Sequence, residues 1–110
     1  MERVETLVEI VQREVEDYHG PALKATTYYF ENRKNQEYVV VMVPDYEYPR
    51  KYRADVVVMA RVVGSTVIID EDTTDRPLYK ELMRAGIPRD QIILAYAGET
   101  APKISSQENQ

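Results

Sequence analysis

The sequence predicts one α+β domain: an antiparallel β-sheet of about five strands, with an N-terminal helix and a second helix before the last strand. Three observations predict it. Apolar residues recur at helical spacing near the N-terminus and again over 77–85, while the runs between and after are rich in valine, isoleucine and tyrosine. A Gly-Ser pair separates two of those runs, as in a tight hairpin. The length of 110 residues, with 44% hydrophobic and 30% charged side chains, suits one folded core. The expected division is a single domain over 1–98 and a polar, disordered tail over 99–110.

Val4, Leu7, Val8, Val11, Val15 and Tyr18 line one side of a helix over 4–18, with Glu5, Glu9, Arg13 and Glu16 on the other. Gly20 and Pro21 end it. Lys24–Glu31 carries Thr26, Thr27, Tyr28, Tyr29 and Phe30, β-branched and aromatic residues that suit a strand. After the polar turn 32–35, Glu37–Val43 is apolar on both sides, as a central strand must be when both faces are covered. Pro44 stops it.

Val56–Val63 is the third strand, and Gly64-Ser65 turns it into Val67-Ile68-Ile69. A two-residue loop sets Val63 opposite Thr66 and Ala60 opposite Ile69. Val58, Ala60, Val62, Val67 and Ile69 then share the face assigned to the core under the helices. The other face holds Val57, Met59, Arg61, Val63, Thr66, Ile68 and Asp70, with Arg61 and Asp70 diagonal neighbours able to pair. That face is too apolar to be simply solvated, so Val57, Met59, Val63 and Ile68 are read as a homodimer surface. Asp72-Thr73-Thr74-Asp75 offers capping side chains for a helix over Pro77–Ala85, whose stripe is Leu78, Tyr79, Leu82 and Met83. Gly86 and Pro88 close it, and Gln91–Tyr96 is the last strand.

The chemistry is sparse. The chain has no cysteine, which excludes disulfides, thiolate catalysis and zinc-thiolate sites. Its one histidine, His19, falls at the end of the first helix, where a cation suits the helix dipole. The four glycines are isolated and build no phosphate loop. After Pro44-Asp45, no acid is followed two places later by lysine, so a restriction-type nuclease motif cannot be completed. No catalytic residue, metal ligand or cofactor is therefore assigned. Asp70, Glu71, Asp72 and Asp75 form the densest acidic group; capping and solubility account for it, and a magnesium site is the alternative. Nineteen acids against fourteen bases give a net charge of −5, which argues against dominant binding to a nucleic-acid backbone. The loop with Tyr46, Tyr48, Arg50, Lys51, Tyr52 and Arg53 interleaves aromatics with bases. Single strands are bound that way, but tyrosine and arginine are also enriched where proteins meet. No apolar run is long enough to span a membrane, and a cytoplasmic address is expected.

The segment Val56–Leu94 resembles the fdxN element excision controlling factor family, the XisI-like proteins. The resemblance lies in an order: the apolar strand to Val63, the glycine hairpin and Val67-Ile68-Ile69, then Asp72 and Thr74 before a helix containing Glu81-Leu82. Gly86-Ile87-Pro88 and Asp90 with Ile92-Ile93-Leu94 complete it. Where that family carries a Gly-Trp pair after the second strand, this chain has Val43-Pro44, and Met59 and Arg61 replace a His and an Asp of the third strand. The resemblance implies a non-catalytic accessory or regulatory protein in excision of a DNA element, acting with a XisH-like nuclease partner and carrying no catalytic residues of its own. Two readings from other classes stand beside it. One is a small ligand- or metal-binding domain using Asp70, Glu71 and Asp72; the other is direct DNA binding through Arg50, Lys51 and Arg53.

Overall fold

The structure is a computed structural model and describes residues 5–45 and 53–100. The first helix, α1 (Leu7–Glu16), starts at a reciprocal cap: the Glu9 amide donates to the Thr6 hydroxyl, and the Thr6 amide donates to the Glu9 carboxylate. Val11 and Val15 are fully buried, and Leu7, Val8 and Tyr18 pack around them. The predicted stripe is therefore the packed one; Val4 lies outside the described residues.

Four strands follow as a meander: β1 (Ala25–Asn32), β2 (Glu37–Pro44), β3 (Asp55–Val63) and β4 (Thr66–Asp72). Each pairs antiparallel with the next. The β3–β4 hairpin has the register expected of a two-residue loop, Val63 opposite Thr66 and Ala60 opposite Ile69. Gly64 supplies the positive φ, +62°, at the first loop position. The second helix, α2 (Leu78–Arg84), then crosses over to β5 (Ile92–Leu94), and the sheet order is β1-β2-β3-β4-β5.

At β5 the structure departs from a wholly antiparallel sheet. β5 runs parallel to β4, with Val67 opposite Ile92 and Ile69 opposite Leu94. A parallel neighbour needs a crossover, and α2 is that crossover. β5 is also shorter than the predicted Gln91–Tyr96. One turn of 3-10 helix occupies Arg89–Gln91 and another Ala95–Ala97, so only three residues are left extended.

The core lies between the sheet and the two helices. Val58, Ala60, Val62, Val67 and Ile69 are its floor, and Val11, Val15, Leu78 and Leu82 are its roof. Leu82 has no exposed surface, whereas Met83, expected in the same stripe, is 42% exposed. Met83 follows Leu82 directly and so stands about 100° further round the helix, off the stripe of Leu78 and Leu82 that faces the core.

Two bulges break the strand alternation. On β3, Val40 opposes Val58 but Val41 opposes Val56, so Val57 is the extra residue. On β4, Ala60 opposes Ile69 but Met59 opposes Glu71, so Asp70 is the extra one. Beyond a bulge the faces exchange parity. Asp72, opposite the fully buried Val58, is thereby brought to the helix-covered side of the sheet.

An open sheet face as the candidate functional site

Both helices cover one side of the sheet, so the register leaves Tyr28, Phe30, Val39, Val41, Met59 and Ile68 on the other. Tyr28 is 45% exposed and Phe30 57%, and their rings stack with centroids 6.3 Å apart. Phe30, Val39 and Met59 line a shallow hollow of ≈ 200 Å³ together with Glu31, Asn32, Glu37 and Tyr38. Each of β1 to β4 contributes apolar side chains to this face, with Glu37, Arg61 and Glu71 set among them. That composition suits a macromolecular surface better than a reaction centre.

One ion pair crosses this face. The Arg61 guanidinium donates to both carboxylate oxygens of Asp70, at 2.8 and 3.3 Å, as the diagonal reading predicts. Hydrogen bonding to Asp70 raises the Arg61 pKa above its already high ordinary value. On the helix-covered side, at the end of β1, the Arg33 guanidinium and the Tyr29 hydroxyl both donate to Glu31 and hold its carboxyl below the usual range.

Of the expected dimer surface, Met59, Val63 and Ile68 lie on this open side, and Val63 is 53% exposed. Val57 does not follow the simple alternation: its bulge leaves it packed against the core. Thr73 seals that bulge, its amide donating to the Val57 carbonyl and its hydroxyl reaching the Val56 and Val57 carbonyls. Tyr46, Tyr48, Arg50, Lys51 and Tyr52 lie outside the described residues; Arg53 is exposed just before β3. The sequence places Val39 on one of the two apolar faces of the second strand, but Tyr28 and Phe30 on none. The signal was there, because Thr26, Tyr28 and Phe30 alternate with Thr27 and Tyr29.

The acidic group is taken apart by the β4 bulge. Asp70 pairs with Arg61, Glu71 accepts the Asp72 amide, and Asp72 faces the other side of the sheet. The Asp72 carboxylate accepts from the Thr74 amide and hydroxyl and from the Leu78 amide at 2.8 Å. Asp72 thus caps α2 from six residues upstream, although the position just before the helix is Pro77. Among the described residues, no three His, Cys, Asp or Glu side chains are placed to hold a metal ion. His19 is exposed beyond the end of α1.

The chain beyond β5 is tied back to the sheet. The Glu99 carboxylate accepts from the Leu94 amide at 2.9 Å and from Arg89 at 2.6 Å, and Arg89 also donates to the Ile92 carbonyl. Glu99 therefore belongs to the folded unit, not to a tail that starts at 99; residues 101–110 lie outside the described residues. The Leu94 amide, then Arg89, hold the Glu99 carboxyl below its ordinary range. A lowered folded pKa contributes stability above the ordinary carboxylate range and loses it as the pH falls through the lowered value. Glu99→Ala, which leaves no acceptor on the side chain, should accordingly raise hydrogen exchange at the Leu94 amide near neutral pH. Acid should do the same to the native protein, relative to the intrinsic rate, and an unchanged Leu94 amide in the variant would refute the tie.

A model of the XisI protein family matches residues 1–106. The chain belongs to the XisI family. Two solved structures share its architecture. A XisI-like protein from Anabaena variabilis ATCC 29413 superposes with a TM-score of 0.69 at 19% identity, covering 87% of this chain and 86% of that one. The fdxN element excision controlling factor XisI from the same organism gives 0.65 at 18%, covering 88% and 92%. No curated protein matched. In this XisI family member the Asp-x-Thr of the resemblance is the α2 cap, and Gly86 supplies the left-handed residue after the helix at φ +108°. Both are fold-holding positions. Among the described residues, no helix is long and apolar enough to cross a membrane.

Proposed function

We propose that this XisI family member is a non-catalytic accessory or regulatory protein in DNA element excision, acting through protein contacts with a XisH-like nuclease and with a second copy of itself. The observation that carries the reading is the uncovered apolar face of Tyr28, Phe30, Val39, Met59 and Ile68. Surfaces of that kind are kept where a protein partner covers them. The family supplies the setting, since one solved relative is an element excision controlling factor. The residue chemistry supports an accessory role: there is no cysteine, the one histidine is exposed, and Asp70 and Asp72 serve an ion pair and a cap.

Affinity purification from the native cell tests the reading. The protein should bring down a nuclease-like partner, and the double variant Met59→Lys, Ile68→Glu should lose it while melting like the native protein. Enrichment of no nuclease-like protein, or full retention by the double variant, would sink the proposal.

A further inference from the structure

The two edges of the sheet are finished differently. At β5, Glu99 takes the Leu94 amide and Arg89 takes the Ile92 carbonyl. Side chains thus occupy polar backbone groups that an incoming strand would need. At β1 the backbone itself shows which groups are free. The Asp45 amide donates to the Lys24 carbonyl, in register with the β1–β2 ladder. By alternation, even-numbered residues of β1 turn their N–H and C=O groups toward β2, and Ala25, Thr27, Tyr29 and Glu31 turn theirs outward. Ala25 is engaged by a bridge to Ala22. Thr27 is shielded by Gly20, whose amide and carbonyl both bond its hydroxyl. The free stretch is therefore 28–32. Among the described residues nothing pairs with its outward Tyr29 and Glu31 backbone groups. It also lacks the lysine or proline that usually guards an exposed edge.

We propose that a second copy of this chain adds its own β1 antiparallel to this edge, about a two-fold axis at Phe30. The free stretch is symmetric about that residue, which is also the most exposed residue of the pair Tyr28 and Phe30. In this register Tyr29 lies opposite the second copy's Glu31, and the reverse, so every outward group of the stretch finds a partner. Phe30 meets its own copy on the open face, with Tyr28 and the second copy's Asn32 opposed beside it. Directly opposed residues must share a face, and a two-fold at Phe30 satisfies this for every pair. Charge does not oppose the contact. Glu31 is the sole acid of the stretch, and Arg33 of the same chain binds it. Pairing this way turns two open faces into one surface across both copies and leaves it free for another protein.

The inference deepens the proposed self-association, and its test separates the two. At high micromolar concentration the native protein should sediment as a dimer, and the Tyr29 and Glu31 amides should exchange more slowly as concentration rises. The chain has no cysteine, so single-cysteine variants are unambiguous. Phe30→Cys should oxidise to a covalent dimer, because opposed residues of this pair type lie roughly 4.5 Å apart at Cα, within disulfide reach. Tyr28→Cys alone should not. A dimer whose Tyr29 and Glu31 amides stay fast overturns the edge pairing while leaving self-association standing. A monomer overturns both.

Discussion

Replacing Leu82 with alanine should cost about 2–5 kcal/mol, the range for emptying a well-packed leucine site. Leu82 is fully buried in a cluster that joins α1, the sheet and α2. The helix that carries it has only seven residues, too few to hold itself together without that packing. Urea denaturation of the variant checks the expectation. A loss under about half a kcal/mol, the scale of ordinary surface substitutions, would mean that α2 is held by something other than its buried face. Met83→Ala on the exposed side is the matching control and should fall at that surface scale.

Asp72→Ala should cost about 1–2 kcal/mol, the upper part of the range for losing a helix cap. Its carboxylate gathers the Thr74 amide, the Thr74 hydroxyl and the Leu78 amide. Removing it frees the first turn of α2 and the loop before it together. Asp72→Asn keeps one acceptor oxygen and should recover part of the loss. If alanine and asparagine are both neutral in denaturant titrations, the cap does not hold α2. If the alanine variant loses stability and asparagine restores none of it, the negative charge at the helix start contributes more than the hydrogen bonds do.

Much of the scaffold was legible because periodicity and turn chemistry are local. The stripe Val11–Val15 gave the packed face of α1, Gly64-Ser65 gave the hairpin, and alternation about Ala60 and Ile69 gave the sheet floor. The Thr6–Glu9 cap was also written locally, as Thr-x-x-Glu, and would have placed the start of α1. What stayed hidden depends on distant partners. A bulge is a choice between two registers one residue apart, and nothing near Val57 or Asp70 records which register β2 or β3 offers. The direction of β5 is invisible in Ile92-Ile93-Leu94, since a short apolar run reads alike in both directions. Glu99 looked like the start of a polar tail because its partners, Arg89 and Leu94, become neighbours only once the chain turns at Ala95–Ala97. The open face was half legible: the β3 and β4 residues were assigned to it, and the two exposed aromatics of β1 were not.

The paired bulges also set the shape that any protein seated on the open face must match. One lies at Val57 on β3, and the other lies opposite the Met59–Ala60 step of the same strand. Each bulge bends its strand and increases the local right-handed twist. Two of them so near each other coil the sheet at the end where β3 begins, leaving the hairpin end around Gly64 more regular. A flat plate of residues would touch such a surface at one end and gap at the other. A partner of the kind proposed would need a surface twisted in the complementary sense, so curvature would discriminate among apolar partners before any side-chain pairing is made.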